Sequence, residues 1–261
     1  MGGDALRSVA IRVGNAAIAV AGVAVFFGIW WLAAVLEWVP ARLLPDPWRT
    51  LDALWRGMRS GGLPSDLGMT LYRAVTAFAI ATAIGIPLGI LLGSMKRVYR
   101  STEALIDFFR STPATAMFPL FLIIFGIGDV ASLSVAVFAC ALVIVFNSAY
   151  GVFQARLTRI SAARIMGASR AQILRHVLFF DALPQIFVGI RTAVSLSLVI
   201  IVVAEMFIGA RSGIGKRIID AQIVFDLPLM YAAILLSGAM GYGLNLLLVA
   251  IEKRVIHWSG T

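Results

Sequence analysis

Apolar positions in this chain gather into six long runs, separated by polar segments of uneven length. A helix needs roughly 20 mostly apolar residues to cross the hydrocarbon core of a bilayer. Runs at about 16–36, 71–95, 105–125, 130–149, 186–208 and 227–251 predict six transmembrane helices in an all-α integral membrane fold. The whole of 1–261 reads as a single transmembrane domain.

The runs differ in character. Arg7 and Arg12 precede the first, which is longer than the apolar core of a signal peptide and reads as a retained span. Between the first two, Trp48, Leu51, Leu54, Trp55 and Met58 recur at helical spacing and predict a short amphipathic helix at the membrane interface. The second run holds Gly85, Gly89 and Gly93, a spacing that lets helices approach closely in lipid. The third carries Asp107, Arg110, Pro113 and Pro119, so a bent or broken helix is expected. The fifth is the most polar, with Arg191, Thr192, Ser195, Ser197 and Glu205. A polar loop is expected from there to Asp226.

Composition strengthens the membrane reading. The 261 residues are 61% hydrophobic and 13% charged, against about 25% charged in average soluble domains. The net charge of +9 does not call for nucleic acid, because Lys and Arg collect in cytoplasmic loops of membrane proteins. Arg7, Arg12, Lys96, Arg97, Arg100, Arg110, Arg156, Arg159, Arg164, Arg170, Arg175, Arg191, Lys253 and Arg254 fall toward one side. A smaller set, Arg42, Arg49, Arg56, Arg59, Arg73, Arg211, Lys216 and Arg217, falls toward the other. The asymmetry predicts both termini in the cytoplasm of a multi-pass membrane protein.

Several enzyme classes lack the residues they need. Ala210 to Arg217 imitates a phosphate-binding loop, but Ala210 replaces the first glycine and Arg217 the magnesium-holding Ser or Thr. Gly126-Ile-Gly128 imitates a dinucleotide fingerprint, yet it lies between two spans and not in a βαβ unit. His176 and His257 both fall in cytoplasmic segments, and Cys140 is the one cysteine. No metal set, cofactor site or nucleophile–base pair is evident.

One polar island interrupts the pattern. Residues 150–185 cannot lie in hydrocarbon and are expected to project into the cytoplasm between the fourth and fifth spans. A short helix from about Ile160 to Ala168 is ended by Gly167. Ser169 with Gln172 has the form of a capping box, so a return helix starts at Arg170 and runs to about Phe180. Asp181 is placed as the N-cap of the fifth span, with Pro184 in its first turn.

The framework Ser161-Ala162-Ala163-x-x-x-Gly167, with Val177 and Ala182-Leu183-Pro184 after it, resembles the EAA loop of ABC importer permeases. Arg110 to Phe121 with Phe125 to Gly128, Ala204 to Met206 with Gly213 to Gly215, and Leu44 to Pro47 resemble the nitrate, sulfonate and taurine-type branch. The match extends over nearly the whole chain. Ser161 departs from the motif glutamate, and Phe180 from a proline that many relatives carry.

The resemblance implies the fold of type I importer permeases and no catalysis in this chain. Ser161, Ala162, Ala163, Arg164, Met166, Gly167, Ala168 and Ser169 would form the coupling helix that docks on a cytoplasmic ATPase. Implied partners are two ATPase subunits carrying ATP and Mg, a periplasmic solute-binding protein and a second permease copy, within membrane lipid. Pro113, Pro119, Thr192, Ser195 and Glu205 are candidates for the translocation pathway, with Glu205 either a functional acid or the partner of a nearby Arg. Taurine, other sulfonates, nitrate and small nitrogen heterocycles fit the resemblance as solutes. A secondary transporter or channel is the alternative; it would carry inverted repeats, and none is evident between the halves.

Overall fold

The computed structural model describes residues 2–40 and 42–255, with the backbone alone for residues 2–17 and 19. His257 lies outside the described residues. The described secondary structure is entirely helical. In chain order it comprises α1 (Gly2–Val35), α2 (Pro47–Arg59), α3 (Leu63–Ser94), α4 (Lys96–Ser111), α5 (Phe118–Phe125), α6 (Asp129–Phe153), α7 (Leu157–Ile165), α8 (Arg170–Ile173), α9 (Phe179–Phe207), α10 (Ile214–Ile223) and α11 (Leu227–Val255).

Among the described residues, four helical stretches are long and apolar enough to cross a bilayer: α3, α6, Arg170–Phe207 and α11. The pair Lys96–Ser111 and Ala114–Phe125 is bent by 92° and forms a fifth if the pair is one span. The expected bend is therefore present. Pro113 ends the first arm, a 3₁₀ turn spans Ala114–Met117, and Pro119 falls in the opening turn of α5, where a missing N–H costs nothing.

The chain forms two compact units. One comprises the segment to Gly62 together with Ala221–Ala232. Within it Trp30 Nε1 donates to the Pro45 carbonyl at 3.0 Å, the Tyr231 ring lies 5.9 Å from Trp30, and the Tyr231 hydroxyl donates to Leu43 O at 3.2 Å. Asp46 caps α2 by accepting from the Trp48 and Arg49 amides, ahead of Pro47. The expected apolar stripe of α2 is exposed at Trp48, Leu51, Trp55 and Met58, whereas Thr50, Ala53 and Gly57 are buried.

The other unit comprises Leu63–Asp220 and the chain from Ala233. Its centre is α6, packed between α3 and α9. The α3–α6 seam depends on the glycine row. A Cβ at Gly85 would meet Ile144 side-chain atoms at 2.8 Å, one at Gly89 the Val145 carbonyl at 2.6 Å, and one at Gly93 the Ala149 carbonyl at 2.8 Å. Backbone-to-backbone approach of this kind replaces the hydrophobic driving force that lipid cannot supply. Val135, Ala136, Leu198, Ile200, Ile201 and Ala204 fill the space between α6 and α9.

Two expectations are corrected. The segment after α9 is not a loop as far as Asp226, because α10 occupies Ile214–Ile223. Asp181 does not cap a new span either: helix is continuous from Arg170 to Phe207, through a π-helical turn at Leu174–Leu178, with Pro184 inside it. The cap signal at Asp181 yields to a tertiary partner described below.

Candidate functional site

The island folds as a short helical hairpin. α7 ends in a Schellman turn: Gly167, at φ +80°, donates to Arg164 O, and the Ala168 amide donates to Ala163 O, both at 3.0 Å. Glycine takes that left-handed conformation without a Cβ penalty. Next, Ser169 Oγ accepts from the Gln172 amide at 3.3 Å, and Gln172 Oε1 accepts from the Ser169 amide at 2.7 Å. This is the reciprocal capping box expected from the residue types.

Asp181 closes the hairpin. Its carboxylate is nearly buried, pairs with the Arg159 guanidinium, and accepts from the Arg156 amide at the start of α7 at 3.3 Å. An acid spent on the N-terminus of α7 gains from that helix's dipole and cannot also cap its own. None of α7 is buried. Ser161, Ala162 and Arg164 lie along it, and Ile165 and Met166 at its end are 87% and 85% exposed.

The pathway candidates do not form one cluster. Pro113 lines a cavity at the 92° break, beside α6 and Leu196 of α9. Pro119 is exposed in α5. Thr192 and Ser195 are exposed on one face of α9, where each hydroxyl faces its own helix, Thr192 to Val188 O at 3.0 Å and Ser195 to Arg191 O at 3.5 Å.

Glu205 sits elsewhere, at the far end of α9, in a buried network. The carboxylate is 1% exposed and the Arg73 side chain 3%. Arg73 Nη1 donates to Glu205 Oε1 at 2.7 Å and to Ser212 O at 2.6 Å, and Arg73 Nε donates to Asp129 Oδ1 at 3.0 Å. Thr70 Oγ1 donates to Glu205 Oε2 at 2.8 Å and accepts from the Ile214 amide at the same distance. The Gly215 amide donates to Glu205 Oε2, and the Gly213 amide to Asp66 Oδ1, each at 3.0 Å. Arg217 completes the set through its Nε to Asp66 Oδ2 at 2.8 Å.

This network points the N-terminus of α10 at two carboxylates, where its unpaired amides and dipole favour negative charge. The glycines are required by proximity. Gly213 has φ +136°, and a Cβ there would strike the Glu205 carboxylate; a Cβ at Gly215 would strike the Val202 carbonyl. Sequence reasoning missed Asp66, Thr70, Arg73 and Arg217, and assigned Arg73 to an outer charge set. The available signal was an Arg one turn into an apolar run, with an acid in another.

Among the described residues no group of three or more His, Cys, Asp or Glu is placed to hold a metal ion. The chemistry on offer is docking and ion pairing. A family model described as binding-protein-dependent transport system inner membrane component matches residues 85–257. The chain belongs to that family. It is an ABC transporter permease subunit of the importer type, a transport protein.

Similar proteins agree on this permease. A probable ABC transporter permease protein of Brucella melitensis is 32% identical over 90% of this chain and 94% of its own. The taurine transport system permease protein TauC of Escherichia coli is 30% identical over 97% of this chain and 91% of its own. In fold, the permease is similar to a chain of the MetNI methionine ABC transporter in inward-facing conformations. The TM-score is 0.63 with 22% identity, over 81% of this chain and 98% of that one.

Proposed function

We propose that this permease, as one six-span domain with both termini in the cytoplasm, imports a small anionic solute by alternating access. Taurine or another sulfonate is the favoured solute class, supported by the similarity to TauC. Two copies enclose the pathway, with Pro113, Pro119, Thr192 and Ser195 along it and Glu205 as a structural or gating acid at one end. A periplasmic binding protein delivers the solute. Two cytoplasmic ATPase subunits, which carry the ATP and Mg, drive the cycle.

The observation that carries this reading is the island's shape. Ser161 to Ser169 lie on a stiff helix and turn held by a Schellman motif, a capping box and the Asp181 ion pair, with Ile165 and Met166 presented at its tip. Exposed apolar side chains on a basic, solvated segment mark a protein contact. Docked in an ATPase groove, such a hairpin transmits displacement, because the Asp181 clasp ties it to the continuous helix Arg170–Phe207.

Co-purification tests the reading. The tagged permease, expressed with an ATPase subunit encoded beside it, is expected to retain that subunit, and Met166→Asp is expected to release it. Solute uptake that proceeds without any ATPase would favour a secondary transporter instead.

A further inference from the structure

The break between α4 and α5 encloses a cavity of about 220 Å³, lined in part by Arg110, Thr112, Pro113, Ala114, Phe138 and Leu196. Its depth follows from its neighbours. Phe109 packs edge-on to Phe138 at 5.5 Å, and the Arg110 guanidinium lies 3.9 Å from the centre of the Phe146 ring. Both aromatics flank the midpoint of the 25-residue α6. The Arg110 guanidinium therefore stands inside the length of a membrane-crossing helix, beside Phe146 and seven residues before that helix ends at Phe153, although charge pattern alone assigns it to a cytoplasmic end.

A cation at that depth is costly unless it faces water, a partner or a ligand. Asp107 is a partial answer: Arg110 Nη2 donates to Asp107 Oδ1 at 3.2 Å, and both side chains remain substantially exposed. The guanidinium carries five N–H donors in a planar fork suited to an oxyanion. Stacking on Phe146 fixes the plane of that fork without using its edge donors.

We propose that Arg110 is the solute-contacting residue of the pathway, binding a small oxyanion of the sulfonate type in the cavity at the helix break. The proposal rests on the import reading given above and names a site for it. The cavity has room for a few waters at about 30 Å³ each, and hence for a solute of a few non-hydrogen atoms. Phe109 and Phe138 supply apolar walls for its carbon portion. Asp107, beside the guanidinium, would receive an ammonium group on a zwitterionic solute.

Thiol labelling tests this without knowledge of the natural solute. Cys140, the one cysteine, is replaced by Ala, and Ala114→Cys places a thiol in the cavity wall. Membrane vesicles containing the assembled transporter, with and without ATP, are treated with two methanethiosulfonates: a sulfonatoethyl reagent and a trimethylammonioethyl reagent. The anionic reagent is expected to react faster in the parent, and Arg110→Gln to cut the anion-to-cation rate ratio by roughly ten-fold or more, as unit charges a few ångström apart in a half-buried site demand. Arg110→Lys is expected to keep the preference. An unchanged ratio in Arg110→Gln, or equal loss in the Lys variant, overturns the proposal. A thiol unreactive to both reagents in both states also overturns it, while the importer reading stands or falls on ATPase co-purification.

Discussion

Arg73 and Glu205 are 132 residues apart in sequence, and their charged atoms lie 2.7 Å apart in a buried ion pair that joins α3 to α9. Around it, Thr70, Asp129, Ser212 and the Gly215 amide meet the remaining donors and acceptors, so neither charge is left unsolvated. Such a pair adds little net stability over an apolar pair of similar size, but breaking it by removing one partner leaves an uncompensated buried charge.

Glu205→Met and Arg73→Met are each expected to destabilise the permease, by about 3–5 kcal/mol. The double variant Arg73→Met with Glu205→Met should be less harmful than the two single losses added together. Thermal unfolding of the detergent-solubilised protein provides the readout. Strict additivity would show that the pair is not a coupled unit.

Gly213→Ala should reduce stability far more than Gly238→Ala. The first adds a Cβ against the Glu205 carboxylate at φ +136°; the second finds nothing within 4 Å. In a helix, Gly→Ala is otherwise worth about 0.5–1 kcal/mol in favour of Ala. Opposite signs of the change in melting temperature are therefore expected for the two variants.

The α3–α6 seam makes a parallel prediction. Gly89→Ala and Gly93→Ala each place a Cβ against α6 backbone and should lower the melting temperature, whereas Gly68→Ala meets nothing and should leave it unchanged or raised. If all three behave alike, the close approach of these helices is wrong.

Gly167→Asp is expected to abolish uptake while leaving membrane insertion intact, because an acidic side chain at φ +80° disturbs the Schellman turn and puts a charge at the proposed docking tip. Normal uptake by that variant would remove the coupling role proposed for α7.

Asp181→Ala should loosen the hairpin without unfolding the spans. It removes the partner of Arg159 and an acceptor for the Arg156 amide. Faster tryptic cleavage at Arg156 and Arg159, with an unchanged melting temperature, is the expected signature.

The sequence by itself determined what local rules determine. Apolar runs marked the long helices, because hydrocarbon accepts only backbone that pairs with itself. Pro113 announced the broken span, Gly167 the end of α7, and Ser169 with Gln172 the start of α8, since each acts within a turn of its own position. Tertiary structure alone decided where the charges went. Asp181 reads as a cap until Arg156 and Arg159 come within reach, and α10 reads as a polar loop until its N-terminal amides meet Asp66, Thr70 and Glu205. Ion pairs in an apolar setting are selected by distance across helices, and no periodicity along one helix records that distance.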